Sequence, residues 1–200
     1  VFIFLSTHVS AQTDFAPGEI MFTGYDSDAP NAFSIVLLKD AVAGTVIYIT
    51  DRGWNSASGF RNDANGEGTI SFTLTYDYTC GTSFVFTDIG GANDWQVTDA
   101  YGVVVGTVAI IAGGDTDGIE LGTTGDQLFI YQLPEPTLGN QGSFVCMIQM
   151  DNDLTVPVNT DDESQIPTGL AANTVVRFNT EVDNAKYDCS PVTGSATTLQ

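Results

Sequence analysis

Apolar and polar residues alternate along most of the chain, with the period of two that is typical of half-buried β-strands. No segment shows the apolar spacing of three and four residues that an amphipathic helix requires. Segments rich in Val, Ile, Phe, Tyr and Thr are predicted to form strands, and Gly, Asn and Asp between them predict turns. The predicted strands are residues 19–25, 32–39, 45–51, 69–74, 83–87, 102–111, 127–133, 143–150 and 174–178.

Short strands at this spacing predict an all-β fold. We expect a single jelly-roll-like β-sandwich of about nine or ten strands, formed by residues 19–200, because a chain of 200 residues suits one large β-domain better than two small ones. Residues 92–100, which include Trp95, and residues 183–187 are predicted as short helical turns or loops.

The first eleven residues have a different pattern from this body. They are mostly apolar and contain no Asp, Glu, Lys or Arg, and counting by twos puts Val1, Ile3, Leu5 and Val9 on one side of an extended strand. Residues 12–18 are polar at first and then contain Pro and Gly, so they are predicted as a hinge. The pattern therefore predicts an apolar N-terminal extension strand that is separable from the sandwich.

Two explanations of this strand stay open. Residues 9–11, which are Val-Ser-Ala before Gln12, fit the small-residue cleavage site of a secretion signal, and residues 1–11 would then be a signal-peptide remnant. Alternatively, the strand is donated to a neighbouring copy of the chain, as in other strand-addition interactions. Under both explanations the protein leaves the cytoplasm, so the predicted location is extracellular or the cell surface.

The charge of the chain excludes several classes of partner. Lys and Arg total 5 against 25 Asp and Glu, which gives a net charge of -20. Such a surface repels phosphate backbones and anionic lipids, so we expect no nucleic-acid partner and no binding to a membrane surface. No apolar stretch is long enough to cross a bilayer, so no membrane span is predicted.

Three cysteines, Cys80, Cys146 and Cys189, show no CxxC spacing that would indicate a metal-thiolate site. Outside the cell, one disulfide and one free thiol is the simplest arrangement. Three pairings stay open. We favour Cys80 with Cys189, because both lie beside turn-like residues where a cross-link causes little strain.

An acidic segment after residue 60 contains the candidate metal ligands. Asp63, Asn65 and Glu67 stand at alternate positions before a glycine, which imitates the first half of a calcium-binding loop, and Asp51 could approach from the preceding strand. The closing acidic ligand of such a loop is missing, since Leu74 occupies its position. The segment is therefore either a Ca²⁺ site or a plain acidic turn.

Catalytic chemistry has little support in the sequence, and no catalytic residue is predicted. The only histidine, His8, lies in the N-terminal strand, so nucleophilic and zinc mechanisms lack a base or an imidazole ligand in the body. Pairs of carboxylates are uninformative in so acidic a chain. We therefore expect a protein that is not an enzyme.

Aromatic residues give a candidate site for surface glycans. A sugar-stacking platform could use five of them, although rings in a β-sandwich more often pack in the core or at its edge. These residues are Trp54, Trp95, Tyr76, Tyr78 and Tyr101.

Segments 18–28, 33–40, 44–54 and 66–70, with a late segment 182–187, resemble a largely uncharacterised group of secreted β-sandwich domains in bacterial surface and extracellular proteins. The resemblance implies secretion and a role at the surface or in the matrix, and it provides no catalytic motif. It also implies that further sequence follows the late segment.

The architecture also resembles subunits of pilus-like extracellular fibres that are joined by donor strands. This resemblance implies a structural subunit of a helical homopolymer, in which Val1, Ile3, Leu5 and Val9 insert head-to-tail into the next subunit. Repulsion between acidic subunits would oppose assembly, and salt or divalent cations would favour it. The alternative function is a secreted, calcium-stabilised adhesion or carbohydrate-binding domain.

Overall fold

A computed structural model describes residues 11–61, 67–90, 95–113, 118–151 and 163–187. These residues form short strands and one turn of 3-10 helix, Ala172–Thr174. The strands are β1 (Ile20–Asp26), β2 (Ala32–Leu37), β3 (Val46–Thr50), β4 (Trp54–Asn55), β5 (Gly59–Phe60), β6 (Gly68–Thr73), β7 (Ser83–Asp88), β8 (Trp95–Asp99), β9 (Thr107–Gly113), β10 (Gln127–Tyr131), β11 (Phe144–Gln149), β12 (Val175–Arg177) and β13 (Asn184–Lys186).

Two sheets face each other across an apolar core. One has the order β13-β1-β2-β7-β8, the other has the order β12-β11-β10-β3-β6-β9, and β4 pairs with β5 in a small hairpin. Neighbouring strands are antiparallel except β11 and β12, which are parallel. The all-β fold and the β-sandwich are confirmed, while the jelly-roll connectivity stays a prediction.

Each of the nine predicted strand segments overlaps a strand of the structure. In β2, for example, Phe33, Ile35 and Leu37 are buried and the residues between them are partly exposed, as the alternation predicts. The segment 102–111 is shifted, because its first residues form the turn between β8 and β9.

Two segments that were predicted as helical turns or loops contain strands instead. Within 92–100, β8 has Trp95 and Val97 buried with an exposed residue between them, but this alternation is too short to stand out beside the preceding Asn and Asp. Within 183–187, β13 pairs with β1 through Tyr25 and Ala185. Its side chains are largely exposed, so backbone hydrogen bonding forms this strand without an apolar pattern.

The main core lies between the sheets and is rich in phenylalanine. The ring of Phe33 stacks on that of Phe86 at 4.6 Å between centroids, and Phe72 makes edge contacts with Phe84 and Phe86. All four side chains are buried. Burial of each such side chain contributes about 1.5–3 kcal/mol, so this layer supplies much of the stability.

A second apolar cluster covers the outer face of the six-stranded sheet. Trp54 and Phe60 of the β4–β5 hairpin make edge contacts with each other, and Trp54 also contacts Phe144 at 5.1 Å between centroids. Leu170 and Val175 complete this cluster. Because both faces of β10 and β11 are covered, every residue of these two strands is buried.

Candidate functional site

The residues of the predicted polymerisation strand, Val1, Ile3, Leu5 and Val9, lie outside the described residues, so this strand stays a prediction. The structure does describe the segment that follows it. That segment shows where the described part of the chain begins on the sandwich.

Hydrogen bonds fix the segment that was predicted as a hinge. Thr13 donates its backbone N–H to Thr45 Oγ1 at 3.0 Å, and its carbonyl accepts a bond from Gln132 Nε2 at 2.9 Å. Gln132 Oε1 in turn accepts a bond from the backbone N–H of Phe15 at 2.7 Å, and the Phe15 ring is buried. One glutamine thus holds two residues of the segment against the end of the six-stranded sheet.

Further contacts hold the second half of the segment. Gly18 donates its backbone N–H to the Val145 carbonyl in β11 at 2.7 Å. Lys39 Nζ contacts the Asp14 carbonyl and the Glu19 carboxylate, each at 2.9 Å, and this ammonium group lowers the pKa of Glu19. These contacts hold residues 13–18 against the sandwich, and they place Thr13 beside the start of β3.

Three of the four sheet edges in the described structure are short or covered. The edge strands β12 and β13 are three residues long and end in the basic residues Arg177 and Lys186. The outer edge of β8 is covered by the turn after it, because Val105 donates its N–H to the Val97 carbonyl at 2.9 Å. Short, charged or covered edges resist pairing with further strands.

The fourth edge, β9, is neither short nor charged, although Gly118 packs against Ile110. It is seven residues long, contains no charged residue and pairs with β6 on one side, and no described strand pairs with its other side. Val108 and Ile110 pack against the main core but remain only partly buried, and Ile111 is 54% exposed. We call β9 and its exposed side chains the open edge.

Backbone irregularities mark both ends of the open edge. Gly106, just before β9, has a φ of +76° and lies against the Phe72 ring, so a side chain is excluded there on two grounds. Further along, Ile110 pairs with Ile70 but Ala112 pairs with Thr69, which makes Ile111 the extra residue of a β-bulge. Bulges are common at sheet edges.

Two of the four predicted metal ligands lie close to each other in a buried polar region. Asp51 is 1% exposed, and its Oδ1 and Oδ2 accept hydrogen bonds from the backbone N–H groups of Gly68 (2.6 Å) and Glu120 (2.9 Å). Glu67 is also buried, and its Oε2 accepts a bond from the Gly53 N–H at 3.1 Å. Burial raises the pKa of the Asp51 carboxyl to about 7. Both carboxylates thus join separate loops to the end of the sheet.

The other two predicted ligands, Asp63 and Asn65, lie outside the described residues. Within the described part of the chain, no group of three or more His, Cys, Asp or Glu side chains is arranged to hold a metal ion. The Ca²⁺ site at Asp51, Asp63, Asn65 and Glu67 therefore stays a prediction. The contacts that the structure shows for Asp51 and Glu67 are those of loop anchors.

The cysteines occupy different environments. Cys80 is exposed, Cys146 is buried in β11, and these two are not bonded to each other. Burial raises the pKa of the Cys146 thiol, so this side chain behaves as a small apolar residue of the core. Cys189 lies outside the described residues, and the Cys80–Cys189 pairing stays a prediction.

The two tryptophans of the predicted sugar platform are core residues. Trp54 lies fully buried in the second cluster, and Trp95 is buried against Phe33 in the main core. Tyr101 and Tyr76 are exposed, while the Tyr78 ring packs edge-on against Phe84. The five rings therefore do not form one surface, and glycan binding stays a prediction.

The open edge was not identified as a site from the sequence. The lack of charge in residues 107–113 was visible, but alternation indicates which faces of a strand are buried and says nothing about its neighbours. No helix in the described ranges is long and apolar enough to cross a membrane. Comparisons of the chain with protein-family models, with curated proteins and with solved structures found no match.

Proposed function

We propose that this chain is a non-enzymatic structural subunit of an extracellular pilus-like filament, which polymerises when its N-terminal strand pairs with the next subunit. The open edge carries the proposal. It is a long, uncharged, partly apolar edge in a sandwich whose other described edges are short or covered, and such edges bind further strands.

The chain itself contains a strand of matching chemistry. Residues 1–5 are apolar and uncharged, and residues 13–18 fix the point from which they leave the sandwich. A strand given to the next copy makes a head-to-tail contact that does not close on itself, and repetition of this contact produces a filament. The net charge of -20 opposes close approach of subunits, so assembly should increase with salt or divalent cations.

Electron microscopy and light scattering of the intact chain over a range of salt and Ca²⁺ concentrations test the proposal. We expect filaments from the intact chain and none after Leu5→Asp, because a carboxylate cannot enter an apolar edge. Leu138→Asp, at an exposed position elsewhere, makes the same chemical change and should leave assembly intact.

Dispersed particles under all conditions would contradict the proposal. If the secreted chain also began near Gln12, residues 1–11 would be a signal remnant. A secreted adhesion domain would then be the better interpretation.

A further inference from the structure

The position of residues 13–18 relative to the open edge defines a path for the residues that precede them. Thr13 is bound to Thr45, immediately before β3. Register across the sheet aligns Val46 of β3 with Thr73 of β6, and Thr73 with Thr107 of β9. The anchor and the start of the open edge therefore lie at the same end of the six-stranded sheet.

The chain is long enough to follow this path. A strand placed outside β9 would lie three strand spacings from β3, which is roughly 15 Å. Five extended residues, 8–12, span roughly 16 Å. Residues 1–7 could then pair with the seven residues of β9.

Direction and side-chain chemistry also agree with this pairing. Residues 1–7 would run towards the anchor while β9 runs away from it, which gives an antiparallel pair. In this seven-to-seven register, Phe4 would lie opposite the partly buried Ile110 and Ser6 opposite the partly buried Val108, on the inner side.

The outer side of β9 offers the exposed Ala109 and Ile111 to Leu5 and Ile3. Apolar residues on both faces of the N-terminal segment thus match an edge that is incompletely covered on both faces.

We propose that the open edge of each free subunit is occupied by residues 1–7 of the same chain, as a seventh, antiparallel strand of the six-stranded sheet. This inference deepens the proposed function and rests on it, because polymerisation then exchanges a subunit's own strand for that of its neighbour. A tethered strand acts at an effective concentration on the order of millimolar, which favours the chain's own strand in dilute solution. Repulsion between subunits of charge -20 acts in the same direction.

Photo-crosslinking of the full chain tests the inference. Benzoylphenylalanine is placed at position 4, unlabelled and ¹⁵N-labelled chains are mixed at low concentration and low salt, and mass spectrometry identifies the attachment site. We expect attachment to residues 107–113 of the same chain. Attachment to β8, β12 or β13, or no attachment, would overturn the assignment of the edge.

The isotope labels separate the two proposals. Cross-links only between labelled and unlabelled chains would overturn occupation by the same chain and leave the filament function standing. A third outcome is cross-links within one chain together with an absence of filaments at high salt. This result would support occupation of the edge by the same chain and contradict the filament function.

A pair of matched variants adds a second measurement. Ile111→Lys should lower the yield of the cross-link by about tenfold, because a charged side chain in an edge opposes strand pairing. Leu138→Lys introduces the same charge at an exposed position between β10 and β11 and should leave the yield unchanged. Equal yields in both variants would overturn the inference.

Discussion

The two edges of the six-stranded sheet differ in length, charge and cover. At β12, the second apolar cluster buries Val175 beside Leu170, and the strand ends after three residues at Arg177. At β9, seven uncharged residues are paired on one side, and Ile111 is exposed. The difference indicates that packing within the chain closes one edge, while no described strand pairs with the outer side of the other.

The largest effect on stability is expected in the second apolar cluster, which packs beside the closed edge at β12. Trp54→Ala removes a fully buried ring that contacts Phe60 and Phe144, and should lower the free energy of unfolding by about 3–5 kcal/mol. Urea denaturation measures the change. Tyr101→Ala, at a ring that is 91% exposed, is the control and should have little effect. A small loss of stability for Trp54→Ala would mean that the second apolar cluster does not close the sheet beside β12.

A buried carboxyl gives the second effect, as a dependence of stability on pH. Burial raises the pKa of Asp51 from 3.8 to about 7 in the folded protein, so the folded state binds more protons than the unfolded state between these values. The free energy of unfolding should therefore fall as pH rises, by about 2–3 kcal/mol between pH 5 and pH 8 from this group.

Asp51→Asn separates the contribution of the Asp51 carboxyl to this pH dependence from the contribution of general charge repulsion in an acidic protein. The amide cannot ionise, so the variant should lose that part of the pH dependence, although it also loses one acceptor for the N–H groups of Gly68 and Glu120. Denaturation at several pH values measures the slope of the free energy of unfolding against pH in the original chain and in the variant. An unchanged slope in Asp51→Asn would show that the carboxyl is already ionised in the fold.

The anchor of the N-terminal segment gives a smaller effect. Gln132→Ala removes the bonds to the Phe15 N–H and the Thr13 carbonyl, and should cost about 1–2 kcal/mol. Gln96→Ala, at an exposed residue of β8, is the control. Thermal unfolding measures stability, and faster exchange of the amide hydrogens of residues 13–15 should report the loosened anchor. Unchanged exchange there would contradict a fixed exit point.

The smallest effect on stability is expected at the open edge itself. In a chain that lacks residues 1–10, Ile111→Lys should change the free energy of unfolding by less than about 0.5 kcal/mol, because the side chain is exposed in the sandwich. In the intact chain, the same substitution should prevent filament assembly. Val175→Lys makes a comparable change at the buried closed edge and should be strongly destabilising. Similar losses of stability in the two variants would remove the distinction between the edges.

The sequence predicted the positions of the strands better than it predicted which strands lie beside each other in the sheets. Alternation located β2 and most other strands, because it directly reflects which face is buried. It missed β13, whose residues pair through the backbone, and it could not show that the strand within 102–111 stands at an edge. That property depends on strands distant in the chain.

The candidate sites were predicted with similar limits. Acidic residues near Gly68 were identified, but the hydrogen bonds of Asp51 go to backbone N–H groups of Gly68 and Glu120. Such partners carry no side-chain signature. An N-terminal strand was predicted from the apolar, uncharged residues 1–11 and stays a prediction, whereas the open edge became visible only in the fold.

Hydrogen exchange of β9, in the intact chain and in a chain that lacks residues 1–10, tests most directly whether the N-terminal strand fills the open edge. We expect that removal of residues 1–10 speeds exchange in Thr107–Gly113 by at least about tenfold and leaves exchange in β12 unchanged. Equal exchange of β9 in the two chains would contradict occupation of the open edge by residues 1–7.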